Sequence, residues 1–203
     1  MNQDAPRLYL ATPALGDARD FAPLLTSALS AGDVASLLIR FSVDQPRSRE
    51  AIVRALAPIA QERGVAVLVD NDVSVAMRAG ADGVHLHGAD AEVSESVKKL
   101  SPRYIIGAGD LVTRDDAMRA GEAGVDYVLL APHEPTLLFD RVNWWAELFN
   151  IPSVARADTL ADVASLAQAG ADFIMVDDAV WKDPRGPDAA VAEALKALQG
   201  AQP

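Results

Sequence analysis

Short apolar runs separated by longer amphipathic stretches cover the chain almost from end to end. Runs at 7–11 (RLYLA), 65–70 (VAVLVD), 104–108 (YIIGA) and 152–157 (PSVARA) read as strands. Four more follow an Ala-Gly dipeptide, in AGDVASLLI from Ala31, AGADGVHL from Ala79, AGVDYVLL from Ala123 and AGADFIMV from Ala169. None alternates cleanly, as expected of strands buried on both faces of a parallel sheet. Glycine at that place stops the preceding helix, because it accepts the left-handed backbone of a C-cap. Helical patterns fill the gaps at 20–31, 47–63, 73–79, 91–100, 114–123, 143–149, 160–169 and 188–198.

The Ala-Gly copies begin 48, 44 and 46 residues apart, so each repeat holds two strand–helix units. Eight alternations of strand and helix predict an α/β fold, a (β/α)8 TIM barrel in one compact domain over residues 1–203. An open doubly wound sheet is the other architecture that absorbs the same alternation. In a barrel, chemistry lies where strands end and the following loops begin. That rule selects Arg40 and Ser42, 70–72, 85–90, 107–111, 131–140, 156–158 and 177–182. Asp82, Asp126 and Asp172 fall on the opposite rim and recur with the repeat, so they read as turn-closing residues whose carboxylates accept backbone N–H groups. His85 sits inside a strand and reads as a hydrogen-bonded interior residue, whereas His87 reads as a loop residue.

Composition narrows the partners. With 203 residues, half of them hydrophobic, the chain can bury a core without a metal or disulfide staple. The absence of cysteine removes disulfides, thiolate zinc sites and cysteine nucleophiles. A formal charge of −11 disfavours nucleic acid and anionic lipid, and no basic stripe overrides it. No apolar run approaches the length of a membrane span and the start MNQDAPRLYL lacks a signal-peptide pattern, so a soluble cytoplasmic protein with a small-molecule substrate is expected. Trp144 and Trp145 stand together on a short helix and mark either core packing or a homodimer patch.

The segments LYLAT, VDND…AGADGVHLHGAD, IIGAG, AGVDYVLLAP and AGADFIMVDDAV together resemble the thiamine-phosphate synthase and thiazole tautomerase family over residues 7–181. The resemblance implies a (β/α)8 barrel and a transferase of thiamine biosynthesis. Its nominal reaction is the Mg²⁺-assisted coupling of hydroxymethylpyrimidine diphosphate with thiazole phosphate, giving thiamine phosphate and pyrophosphate. By the same resemblance Asp72 and Asp90 are the metal ligands, Asn71 and Thr136 bind substrate, and Arg40 grips the diphosphate. Asp90 also precedes AEVSESV and reads as a helix N-cap, a role that does not exclude a metal. Arg156 and Asp178 stand at further substrate-binding positions. Arg156 either grips phosphate bidentately or pairs with Asp158 or Asp177. The tautomerase relative uses a histidine after the sixth strand. His133 and Glu134 stand one residue from that place and form a candidate acid–base pair, or else a solvated loop.

The chain departs from the family at its phosphate-binding positions. Leu38 and Ser42 replace a glutamine and a lysine around Arg40, Gly109 replaces a serine, Phe139 falls near a lysine's place, ARAD stands where a Gly-Gly cradle is expected, and Asp177 and Asp178 replace a small pair. Lysines are lost while carboxylates arrive at Asp110, Glu134, Asp158, Asp177 and Asp178. An unpaired carboxylate beside a phosphate in a partly dry pocket opposes binding by about a few kcal/mol. Three readings of function follow: a working or weakened synthase, a family barrel turned to another small ligand, and a non-catalytic binding or regulatory barrel.

Overall fold

The computed structural model describes residues 5–131 and 135–201, without the side chains of Pro135 and Thr136. Eight parallel strands close into a barrel in sequence order, β1 (Arg7–Leu15), β2 (Ser36–Phe41), β3 (Ala66–Asp70), β4 (Gly83–His87), β5 (Ile105–Gly109), β6 (Tyr127–Leu130), β7 (Ser153–Ala157) and β8 (Phe173–Val176), with β8 pairing back onto β1. This is the (β/α)8 barrel, and the open doubly wound sheet is excluded by that closing pair.

Helices follow each strand: α1 (Ala22–Ser30), α2 (Pro46–Gln61), α3 (Val73–Ala79), α4 (Ala91–Leu100), α5 (Arg114–Ala123), α6 (Pro135–Leu148), α7 (Asp162–Gln168), the short α8 (Asp178–Trp181) and α9 (Pro187–Gly200). The eight helical patterns appear, α3, α4 and α5 with the expected ends and the other five with shifted ones, and α8 is additional. The 178–181 segment is too short to show a period, and it forms because its flanks dock. Trp181 donates its indole N–H to the Ala11 carbonyl at 2.6 Å and packs edge-on against Phe21.

Two apolar layers hold the barrel. Outward-facing strand residues such as Leu8, Leu37, Val67 and Ile174 pack under the helices, while Tyr9, Leu38, Leu68, Tyr127, Val154 and Met175 fill the interior. Leu38 therefore serves the interior packing. The repeated aspartates clamp the N-terminal rim. Asp82 accepts the Val67 N–H at 2.7 Å, Asp126 that of Ile106 at 2.8 Å and Asp172 that of Ser153 at 2.8 Å. Each carboxylate thus satisfies a donor at the start of the neighbouring strand, one strand further away than a simple turn closure.

The tryptophan pair divides its work. Trp145 is buried and donates to the Ile151 carbonyl at 2.7 Å, while Trp144 is half-buried under the Arg114 guanidinium. Among the described residues, no helix is long and apolar enough to cross a membrane.

Candidate active site

The C-terminal mouth of the barrel carries two clusters of charge. The first gathers β7, β8, β1 and β2 around Asp177, which follows β8 and is 4% exposed. Arg40 reaches it from β2 at 3.3 Å and Arg156 from β7 at 3.6 Å, both to the same carboxylate oxygen. The other oxygen accepts the Asp178 N–H at 2.7 Å. An irregularity in β1 between Ala11 and Ala14 turns Thr12 toward Arg40, which donates its backbone N–H to the Thr12 hydroxyl and its Nε–H to the Thr12 carbonyl. Arg156 also lies 3.7 Å from Asp158. Both salt-bridge partners expected for Arg156 are therefore present. Asp178 pairs with Lys182 at 2.6 Å, and that lysine holds its carboxyl below the usual range.

The second cluster lies at the ends of β3, β4 and β5. Strand register brings it together, since Asp70 pairs with His85 and His87 with Gly109. His87 Nε2 lies 2.8 Å from Asp70 and its Nδ1 lies 3.4 Å from Asp110. The hydrogen bond to Asp70, and then the two carboxylate charges, raise its pKa above the ordinary histidine value against a smaller loss from burial. Sequence reasoning missed this arrangement. The signal was the placement of an acid, a histidine and an acid at three consecutive strand ends, which is informative only once the register is known.

Below it, His85 is buried and bonds through Nδ1 to the Tyr127 hydroxyl at 2.9 Å, which in turn meets the Tyr9 hydroxyl at 2.9 Å. Burial pushes His85 down to about 4, so it is neutral near pH 7, and it raises both tyrosines. The glycines of IIGAG make room for these rings. A Cβ on Gly109 would stand 2.4 Å from His85 Nε2, and one on Gly107 would stand 1.9 Å from Tyr127 Cζ.

The two candidate metal ligands follow adjacent strands, and both cap helices. Asp72 accepts the Val75 N–H at 3.0 Å through one oxygen and the Arg49 guanidinium at 3.1 Å through the other. Arg49 is itself held by the Val43 carbonyl at 2.7 Å and lies over the Phe41 ring. Asp90 accepts the N–H groups of Glu92 and Val93 at 3.0 and 3.3 Å, which is the N-cap reading. Magnesium is held by a few carboxylates together with retained waters or substrate phosphates. The Arg49 guanidinium already occupies one Asp72 oxygen and the Val75 N–H the other, so a divalent ion taken up here without substrate would have to displace a cation the chain supplies.

Asn71 stands beside this corner with a left-handed φ of 45°, its side-chain oxygen 3.4 Å from the His87 N–H. Thr136 falls in the first turn of α6, its side chain outside the described groups, and His133 and Glu134 lie outside the described residues.

Comparison with known proteins places this chain in a family. The family model described as thiamine monophosphate synthase matches residues 8–180. The chain is 39% identical to the thiamine-phosphate synthase of Rhodospirillum centenum, over 96% of this chain and 98% of that one. It is 38% identical to that of Hyphomonas neptunium, over 91% and 90%. Among solved structures, thiamine phosphate pyrophosphorylase from Pyrococcus furiosus superposes with a TM-score of 0.82 at 24% identity, over 97% of each chain, a likeness of fold. A 3-hexulose-6-phosphate synthase shares the fold with a TM-score of 0.71 at 17% identity, covering 94% of this chain and 99% of that one. The chain belongs to the thiamine monophosphate synthase family.

Proposed function

We propose that this chain is a thiamine-phosphate-synthase-like barrel of thiamine metabolism in which coupling of the two phosphorylated substrates is strongly weakened. The observation that carries this reading is Asp177. Its buried carboxylate lies within salt-bridge distance of both Arg40 and Arg156, so the two cations best placed to grip a diphosphate already share an anion. A leaving diphosphate gathers charge as its bond breaks, and fixed cations aimed at that charge supply much of the rate. Loss of one such donor typically costs about 10²–10³ in kcat. Arg40 can rotate toward a substrate anion only by leaving Asp177 and the Thr12 carbonyl together.

In the nominal family reaction Mg²⁺ would neutralise the diphosphate, with Asp72 and Asp90 its ligands by resemblance. The Arg49–Asp72 pair argues against a resident ion. The remaining candidates keep their proposed places: Asn71, Thr136 and Asp178 at the substrate, and His133 with Glu134 as an acid–base pair after β6. A cytoplasmic location and a homodimer likewise remain proposals.

The test incubates hydroxymethylpyrimidine diphosphate and thiazole phosphate with Mg²⁺ and follows pyrophosphate release. The Rhodospirillum centenum protein is assayed alongside. A rate at least about 100-fold lower is expected, from the loss of one or more charge-stabilising donors. Comparable rates would sink the reading. Single replacement of His133 and Glu134 then tests whether any residual turnover uses them.

A further inference from the structure

We propose that Trp181 is a positioning residue of the arginine half of the mouth: it seats the Asp177 carboxylate on Arg40 and Arg156 and so sets that site against diphosphate anions. This deepens the reading above and rests on it, since there Asp177 withholds the two arginines. Asp177 is the N-cap of α8, and α8 is four residues long. A single turn has too few internal hydrogen bonds to hold itself, so its place is set by what it docks on. Val180 is fully buried and fixes the depth of the turn. Apolar burial is non-directional, however, and leaves rotation free. The directional hold is the Trp181 indole, which donates its N–H to the Ala11 carbonyl at 2.6 Å and meets the Phe21 ring with centroids 4.7 Å apart.

The acceptor of that bond belongs to the element that aims Arg40. Ala11 pairs with Leu38 and Ala14 with Arg40, so three steps along β1 face two along β2. The extra residue makes a bulge, a device that re-aims side chains. Consecutive carbonyls of this bulge hold the two sides of one ion pair. Ala11 accepts Trp181 of the helix that carries the anion, and Thr12 accepts the Nε–H of Arg40, the cation. Thr12 is itself locked. It is fully buried, and its hydroxyl donates to the Pro13 carbonyl at 2.7 Å and accepts the Arg40 backbone N–H at 3.0 Å.

One Asp177 oxygen takes the Asp178 N–H at the start of α8, and the other faces both arginines. With its first oxygen tied to the helix, the carboxylate turns away from the arginines only when α8 moves, and that movement breaks the Trp181 bond. A ligand anion therefore has two ways in: Arg40 leaves the Thr12 carbonyl, or α8 withdraws. Trp181 opposes the second. A site that must open before it binds loses affinity in proportion to the fraction of molecules closed.

Calorimetry with inorganic pyrophosphate on the full chain tests this in the parent, Trp181→Phe, Asp177→Asn and the double variant. Phenylalanine keeps an aromatic ring against Phe21 and removes only the donor. With Asp177 present, Trp181→Phe should raise the affinity about fivefold, the worth of one ordinary hydrogen bond. In the Asp177→Asn background the same change should do nothing, because no carboxylate is left to seat; such non-additivity marks coupled residues. A merely structural tryptophan would lower Tm in both backgrounds and move neither affinity. No gain with Asp177 present, or an equal gain in both backgrounds, overturns the proposal. If Asp177→Asn alone leaves the affinity unchanged, the earlier reading falls and this one with it. If Asp177→Asn raises it and Trp181→Phe does not, this one falls alone. The Trp181 indole N–H resonance, identified by its loss in Trp181→Phe, should also shift as pyrophosphate saturates the parent chain. Pyrophosphate binding with that resonance unmoved would show that α8 stays seated, and would equally defeat the proposal.

Discussion

The two halves of the mouth use charge in opposite ways. On the β7–β2 side one buried carboxylate satisfies two arginines, and the cluster is closed: every charge has a partner supplied by the chain. On the β3–β5 side two carboxylates share one histidine, and the cluster is left with surplus negative charge. The first half resembles a phosphate site filled by the protein's own anion. The second holds two carboxylates around a histidine whose protonated form they favour. The difference teaches that counting charged residues at a mouth says little until their pairing is known.

The largest way to disturb the comparison is to remove the floor of the histidine half. Gly107→Ala would drive a Cβ to 1.9 Å from Tyr127 Cζ, so the ring or strand must move. A loss of about 3 kcal/mol is expected, lowering Tm by roughly 10 °C for a chain of this size. A shift under a degree or two would show that the His85–Tyr127–Tyr9 chain is loosely held.

Acid should expose nearly as large an effect through the same floor. His85 has a folded pKa of about 4 against 6.5 for the free side chain. The unfolded chain therefore binds the extra proton first, and stability falls as pH drops from about 6.5 toward 4, by about 3 kcal/mol in all. Denaturant unfolding of the parent chain and His85→Asn at pH 7 and pH 4.5 checks this; equal acid losses would contradict it. His87 runs the other way. Its pKa is raised, so its bond to Asp70 contributes fully below the free histidine value and is lost as pH climbs through the folded value. It is too exposed for that contribution to be large. NMR titration should find the His87 pKa lower in Asp70→Asn.

The arginine half is sharpened by Asp177→Asn, which leaves Arg40 and Arg156 without their shared carboxylate. Affinity for inorganic pyrophosphate should increase about tenfold, about 1.4 kcal/mol, read by calorimetry. An unchanged affinity would mean that the arginines are not what Asp177 withholds. The smallest expected effect is that of metal removal. With Arg49 on Asp72, chelation by EDTA should leave Tm unmoved, and Mg²⁺ should raise it only in Arg49→Gln. Stabilisation of the unaltered protein by Mg²⁺ would restore the Asp72–Asp90 pair as a resident metal site.

Much of this was legible before any coordinates. The helix stops at Gly80 and Gly124 are left-handed C-caps, as the Ala-Gly repeats required. The recurrence of the aspartates marks them as structural, and they are, although they reach across to the neighbouring strand. The place of His85 inside a strand predicts a hydrogen-bonded interior residue, and Tyr127 supplies the bond. For Arg156 the sequence offers phosphate or two aspartates, and both aspartates are within reach. What could not be read was Arg49, the turn of Thr12 toward Arg40, and the meeting of Asp70, His87 and Asp110. Their positions lie 17 to 40 residues apart in the chain, so no spacing rule links them.

The sequence by itself determined the alternation of strands and helices, the rim on which chemistry could lie and the family. All three depend on local patterns repeated along the chain: apolar runs, glycine stops and capping acids. Tertiary structure alone decided which charges cancel. An aspartate after β8 neutralises an arginine on β2 only because the barrel closes and brings β8, β1 and β2 side by side. Coulomb interaction depends on distance in space, and that distance is set by closure and register rather than by separation along the chain.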